Sequence, residues 1–323
     1  MQRTAIITIA SSLLIAGCSS GGSDDSVSSP ELTLAITPDN AMEVASISWD
    51  AALESVEFSD LTDTGLFIGG TSGGVSKLNN AIAMSAKSNG GSSQAPIPEE
   101  TIPCEVAGDV TVSGQIADPI TPTLTGGDFF EMDFNNCNDG LGDVIDGLMR
   151  MDVDAFNGDL SGAMFDMTVT LTLDTFQVTS GEDVITSHGD VTATIDTMNL
   201  QSVFTGISGN SMRIDSNSSS ESLTNFASSL NVDGTVQPSL NARSAAGTLA
   251  STQLVGAIRY STPETFENLG EDFPNSGQFL VEGAGSSMRL IAVDNVEVRI
   301  EIDSDGDGTV DATILTTWAE LTE

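Results

Sequence analysis

The alternation of apolar and polar residues is the feature that most constrains this chain, and it begins just after Cys104. In the segment 167–173, Met, Val and Leu occupy every second position and Thr occupies the positions between them. Successive side chains of a strand point to opposite faces, so a period of two predicts a strand with one apolar and one polar face. The same alternation recurs at residues 110–112, 130–134, 149–153 and 191–195.

Turn-forming residues separate these segments, for example Asn138-Asp139-Gly140 and Asn157-Gly158-Asp159. Strands with one polar face and short connections are typical of an antiparallel meander. Parallel strands need long crossovers, and no helical pattern is present here to supply them. The sequence therefore predicts a mainly β fold, a large antiparallel meander with one or two N-terminal helices. A twisted sheet, a sandwich and a partly closed barrel all remain possible forms of it.

The first helix is predicted over residues 40–57. Asn40 and Glu43 have the spacing of a capping box, and an apolar face follows them. That face holds Met42, Ala45, Trp49, Leu53 and Val56, and we expect it to pack against the sheet. A second, short amphipathic helix is predicted within residues 75–87.

The pattern is weaker in the C-terminal third. Segments 253–260, 278–282, 288–293, 296–302 and 312–318 are strand candidates. Residues 261–275 are polar and contain Pro263 and Pro274, which indicates a loop or a short turn of helix. Gly206 and Gly209 are interpreted as parts of turns.

The N-terminus has the organisation of a secretory signal. Arg3 precedes an apolar run at residues 5–16 that is too short to span a membrane. Ile15-Ala16-Gly17-Cys18 then resembles the lipobox of bacterial lipoproteins. The resemblance implies that Cys18 becomes the acylated N-terminus, although an ordinary signal with an incidental Cys is the alternative. Ser19 rather than Asp at the next position implies delivery to the outer membrane, on its periplasmic face or at the cell surface.

These patterns divide the chain into five segments. We expect a signal peptide over residues 1–17 and a flexible Ser- and Gly-rich tether over 18–30. A helical and low-complexity segment should follow at 31–100. The antiparallel β-domain is placed at 101–260, and a C-terminal β-segment with an Asp-rich loop at 261–323.

Cysteine usage agrees with export. With Cys18 assigned to lipid, Cys104 and Cys137 remain, an even number in an exported chain. A disulfide between them is the expectation.

Further segments carry a resemblance to a family. They are 104–110, 127–137, 147–149 and 274–290, continuing into Asp303-Ser304-Asp305-Gly306-Asp307-Gly308 and Trp318. Together with the lipobox they resemble uncharacterised all-β outer-membrane lipoproteins of proteobacteria. The resemblance covers about half the chain and supports location, disulfide and fold class, but it implies no activity.

Charge limits the possible partners. The chain has 47 acidic and 9 basic residues, a net charge of −38. Nucleic acids are disfavoured as partners because their binding depends on neutralising phosphates with Lys and Arg. The acidic surface also disfavours docking on anionic lipids, so contact with a membrane is expected through the lipid anchor alone. The excess of acidic residues can keep the protein soluble or bind divalent cations, and solubility is the simpler interpretation.

The segment DSDGDGTVD is the sharpest motif. Carboxylates at alternate positions followed by Gly are typical of a calcium loop, although Ile314 stands where an EF-hand has its bidentate Glu. A hairpin turn is the alternative, because Asp-Gly pairs favour tight turns. If Ca²⁺ binds here, the predicted ligands are Asp303, Asp305, Asp307, the Thr309 carbonyl and Asp311.

No recognisable catalytic set stands out in the sequence. His188 is the lone histidine and is interpreted as a solvated turn residue. Seven methionines are expected to pack in the core, or alternatively to line a groove for apolar ligands: Met132, Met149, Met151, Met164, Met167, Met198 and Met212. We therefore expect a lipid-anchored envelope protein with a non-catalytic binding or structural role, whose protein or apolar ligand the sequence does not identify. The alternative is an extracellular hydrolase that uses paired carboxylates on a polymer.

Overall fold

The computed structural model describes residues 30–61, 95–118, 124–138, 140, 143–158 and 164–322, with the backbone alone for residues 53–61. Within these residues the chain forms a helix, α1 (Ala41–Leu61), a set of fourteen strands and a short final helix, α2 (Trp318–Leu321). The strands are β1 Ala95–Pro103, β2 Ala107–Ile116, β3 Phe129–Asn138, β4 Asp143–Gly158, β5 Phe165–Ser180, β6 Asp183–Asn199, β7 Ser202–Ser216, β8 Ser220–Asp233, β9 Leu240–Ser251, β10 Gly256–Leu269, β11 Ser276–Gly283, β12 Ser286–Ala292, β13 Glu297–Asp303 and β14 Ala312–Thr317.

All fourteen strands belong to one sheet, in which spatial order equals sequence order and every neighbouring pair is antiparallel. This confirms the predicted antiparallel meander. Among the described residues, β1 and β14 are the two edges and do not pair with each other, so the sheet is open. Because all the described strands belong to one sheet, a sandwich of two separate sheets is not the form found. The expected domain boundary between residues 260 and 261 falls inside β10.

The two faces of the sheet have the chemistry that the alternation predicts. In β5, Met167, Val169 and Leu171 are buried, and they belong to one hydrophobic core that extends to β13. On the opposite face, Thr170 and Thr192 of neighbouring strands are hydrogen-bonded through their hydroxyls at 3.2 Å. Burying one apolar face of each strand is therefore what holds the meander together.

Helix α1 covers part of the core face and contacts β7, β8 and β9. Its Trp49 is buried in an aromatic cluster with Phe266, Phe279 and Trp318. The helix is confirmed, but the proposed capping box is not formed. Asn40 instead accepts a hydrogen bond from the Thr37 amide at 2.8 Å, so its side chain is turned towards the preceding residues. The predicted helix within 75–87 lies outside the described residues.

Two predictions about strands β7 and β10 were wrong. Residues 261–269 are strand rather than loop. Pro263 lies where the register of β10 with β11 shifts, between Ser261 and Glu264. Because regular pairing is already interrupted there, the missing N–H of Pro removes no regular hydrogen bond of the sheet. Gly206 and Gly209 lie inside β7 and not in turns. A Cβ atom at Gly209 would stand 2.5 Å from the Phe226 ring, so this glycine makes room for an aromatic neighbour.

Within the described part of the chain, no helix combines the length and the apolar character needed to cross a membrane.

Candidate functional site

The acidic loop connects β13 to β14 as the turn of a hairpin, and several of its backbone N–H groups are bound by its own carboxylates. Asp303 accepts hydrogen bonds from the amides of Gly306 and Gly308, at 2.8 and 2.9 Å. Both glycines have positive φ, 73° and 86°, a conformation that side chains disfavour. The glycines of the motif are thus required by the turn itself.

Asp311 closes the loop from the other side. It accepts hydrogen bonds from the hydroxyl and the amide of Ser304, which hold the pKa of the Asp311 carboxyl below its ordinary value. The Asp311 amide in turn donates to the Ile302 carbonyl at 2.8 Å. Asp311 is therefore positioned in its charged form, the form that a cation needs.

Three of the predicted metal ligands come together. One carboxylate oxygen from each of Asp303, Asp305 and Asp311 lies within 4.8 Å of the others, so the group is able to hold a metal ion. The Asp307 carboxylate is not part of this group of side chains, and the Thr309 carbonyl stays a predicted ligand. The Asp307 carboxylate instead accepts hydrogen bonds from the amide and the hydroxyl of Thr309. The hairpin and the cation interpretation are thus compatible, with three of the four predicted carboxylates in one group.

The predicted disulfide between Cys104 and Cys137 is present, with the two Cα atoms 5.5 Å apart. It joins the β1–β2 connection to β3. Cys18 lies outside the described residues, and its lipidation stays a prediction.

His188 was assigned wrongly to a turn. It lies in β6, and its Nδ1 accepts a hydrogen bond from the Thr175 amide at 3.3 Å, opposite a bulge of β5.

The methionines are divided between interior and surface. Met149, Met151, Met167 and Met212 are buried in the core, whereas Met164 and Met198 are exposed. Packing is therefore the role of the buried set, and the methionines do not form one continuous groove.

A cavity of about 400 Å³ lies where α1, the strand pair β9–β10, the β10–β11 connection and the C-terminal turn meet. Its aromatic wall is formed by Trp49, Phe266 and Phe273. The polar lining consists of Asp50, Asn241, Arg243, Asn268, Asp272 and Thr322. A concave site with an apolar wall and a few convergent polar groups is the usual form of a small-molecule site.

Sheet register places four of these residues side by side. Arg243 of β9 is directly opposite Phe266 of β10, and Asn241 is directly opposite Asn268. Residues two apart on a strand share a face, so all four side chains project from the same side of the sheet. Helix α1 contributes Trp49, whose ring meets that of Phe266 edge-on at a centroid distance of 4.8 Å.

Two polar atoms on residues of this lining have no hydrogen-bond partner among the described residues. They are the Nε of Arg243 and the Oδ1 of Asn268, and both atoms are buried. The Asn268 residue is only 9% exposed. Buried polar atoms are nearly always paired, and leaving one unpaired costs about 1–3 kcal/mol. An unpaired donor and an unpaired acceptor on two residues that line one cavity therefore point to a ligand that pairs with both.

Sequence reasoning missed this cavity. Its residues come from five separated segments, and no spacing rule connects Trp49 with Arg243 or Asn268. One signal was available, because an Arg among so few basic residues stands in a segment rich in Ala and Ser. The segment itself was not recognised as a strand, so the direction of the Arg243 side chain was not predictable.

No protein-family model, no curated protein and no solved structure matches this chain.

Proposed function

We propose that this chain is a lipid-tethered cell-envelope protein whose β-domain binds a small ligand in the cavity beside α1. The observation that carries the proposal is the pair of unpartnered polar atoms on Arg243 and Asn268, two residues that line a cavity of about 400 Å³. Proteins tolerate such atoms mainly where function requires them, because they reduce stability.

The ligand site is tested with small molecules extracted from the native envelope. A ligand that binds only the folded state raises the melting temperature, Tm, of the purified protein. We expect the extract to raise the Tm of the wild type but not that of Asn241→Trp, in which the larger side chain fills the cavity. Equal shifts in both proteins, or no shift in either, would contradict the proposal.

The tether is the second part of the proposed function. Ile15-Ala16-Gly17-Cys18 and the polar residues after it support acylation of Cys18 and location at the outer membrane. Cys18→Ser should leave the protein soluble or unprocessed in cell fractions, whereas wild type sediments with outer membrane. Unchanged membrane partition of the variant would exclude the lipid anchor.

Calcium binding in the acidic loop is a further proposal, and it is structural in purpose. Asp303, Asp305 and Asp311 supply clustered hard oxygen atoms, which Ca²⁺ prefers. Clustered carboxylates repel one another without a cation, so binding should stabilise the β13–β14 hairpin.

Hydrolysis is the alternative function, and one observation favours it. Asp50 and Asp272 line the same cavity as the aromatic residues Trp49, Phe266 and Phe273. Paired carboxylates are the groups that glycoside hydrolysis uses. Polysaccharide and ester substrates test this alternative, since turnover that is lost in both Asp50→Asn and Asp272→Asn would replace binding with catalysis.

A further inference from the structure

The charge of Arg243 has no counterion among the described residues. Four other described arginines form ion pairs: Arg150 with Glu131 and Asp152, Arg213 with Asp215, Arg259 with Glu282 and Arg299 with Glu301. Arg243 forms none, although the chain has 47 acidic residues. Its side chain is half-buried in the cavity wall with Nε enclosed. A guanidinium in this state favours an anionic acceptor, and a carboxylate matches its planar donors.

Asn268 adds a second requirement to the ligand. The unpartnered atom is a carbonyl oxygen, which accepts and does not donate. A bare carboxylate pairs with Arg243 but offers nothing to this oxygen. The ligand therefore needs an N–H or O–H donor close to its carboxylate.

The remaining walls define the rest of the ligand. Trp49 and Phe266 present buried rings, and Phe273 is half-buried, so an apolar group suits this side of the cavity. Asp50 and Asp272 lie in the same lining and repel additional negative charge. A single carboxylate is therefore favoured over a di-anion or a phosphate ester.

We propose that the cavity binds a monocarboxylic acid that carries an N–H or O–H donor beside its carboxylate and an apolar body, as an N-acylated aromatic amino acid does. Arg243 holds the carboxylate, Asn268 accepts the neighbouring hydrogen, and the aromatic wall contacts the apolar body. This inference depends on the proposed function of the cavity and specifies its ligand class. The net charge of −38 does not oppose it at short range, because salt at 0.1 M screens exposed charges beyond about 10 Å.

Three related probes test the contacts by calorimetric titration of the full mature protein in detergent. N-acetylphenylalanine has the carboxylate, the donor and the ring. Its C-terminal amide lacks the negative charge, and 3-phenylpropanoate lacks the acetamido donor. We expect the amide to bind tenfold or more weakly, as loss of a hydrogen bond to a charged group of about 1.5–3 kcal/mol implies. Loss of the donor should weaken binding by about two- to tenfold.

Variants assign these effects to residues. Arg243→Met should abolish the preference for acid over amide, and Asn268→Leu should abolish the preference for N-acetylphenylalanine over 3-phenylpropanoate. Arg289→Met is the matched control, because Arg289 is exposed and also has no ion pair among the described residues. Arg243→Gln also removes the charge, and it replaces Arg243→Met if that variant fails to fold.

The outcomes separate this inference from the proposed function. If acid and amide bind equally, or if Arg289→Met changes the preference as much as Arg243→Met does, the ligand class is wrong. If no probe binds while the envelope extract still raises the Tm of the wild type and not of Asn241→Trp, the ligand class is wrong and the cavity function stands. If neither probes nor extract act on the wild type, both fail.

Discussion

Arg243 of β9 lies directly opposite Phe266 of β10, and the Phe266 ring packs edge-on against the Trp49 ring of α1. A charged side chain is thus held beside an aromatic cluster. The cost of the arrangement is a buried Nε without a partner. Stability and binding should therefore respond in opposite directions to changes at this residue.

Replacing Arg243 with Met should raise the free energy of unfolding of the ligand-free protein by about 1 kcal/mol. Met fills a similar length of the cavity wall and removes the unpaired donor. Urea denaturation measures the change. The control variant Arg289→Met removes the same charge from an exposed position and should stay near wild type, within about 0.5 kcal/mol. A clear loss of stability in Arg243→Met would mean that the guanidinium has a structural partner.

Calcium should raise the Tm of the wild type, because the ion binds the folded hairpin. Asp305→Ala should lose most of this gain, since Asp305 belongs to the three-carboxylate group. Asp307→Ala is the matched control, because it removes the same charge from the same loop outside that group, and it should keep most of the gain. Magnesium and sodium chloride at matched ionic strength separate ion binding from general screening. If Asp305→Ala and Asp307→Ala respond alike, the loop is only a turn.

Removing the disulfide with Cys104→Ala and Cys137→Ala together should destabilise the protein by about 4 kcal/mol. The bond closes a loop of 33 residues, and the estimate is the loop entropy that the unfolded chain regains. Denaturant unfolding of the double variant measures the loss. Reducing agent should shift the wild type in the same direction and leave the variant unchanged, and a variant as stable as wild type would refute the estimate.

Glu221 should make stability depend on pH. Burial raises the pKa of its carboxyl, the charge of Asp50 adds to the rise, and a hydrogen bond from Ser251 opposes it. The folded state therefore holds the proton more tightly than the unfolded state does. The stabilising contribution is complete below the unfolded value of about 4.3 and is lost as pH rises through the folded value.

Glu221→Gln should accordingly be more stable than wild type at pH 7, with the difference disappearing as pH falls to 4. Thermal unfolding across that range gives the comparison. A variant that is less stable than wild type at pH 7 would show that the charged carboxylate has a favourable partner in the folded state.

The sequence predicted the strands in which apolar and polar residues alternate clearly within the strand itself. Residues 167–173 alternate without interruption, so β5 and its two faces were predictable from local pattern. Strand β9 was not, because Ala and Ser dominate it and give little contrast between faces. The continuation of β10 was hidden by Pro263, whose effect depends on a register irregularity that no local pattern reveals.

The acidic loop and the cavity also differ in whether local sequence reveals them. The acidic loop is local, so the spacing of its residues identified it. Only the separation of Asp307 from Asp303, Asp305 and Asp311 depends on the three-dimensional fold. The cavity is assembled from α1, β9, β10 and the C-terminus, and its meaning depends on unpaired atoms. Hydrogen-bond pairing across such distances follows from the tertiary fold and has no signature in the sequence.

The most direct test of a lipid-anchored protein with a ligand in this cavity is native mass spectrometry of the protein released in detergent from its own membranes. We predict that wild type carries a covalent lipid mass on Cys18 and, in addition, a small non-covalent ligand. That ligand should be absent from Arg243→Met and retained by Arg289→Met. A ligand-free wild type, or a ligand retained equally by Arg243→Met and the wild type, would contradict the claim that this cavity is the binding site of a tethered envelope protein.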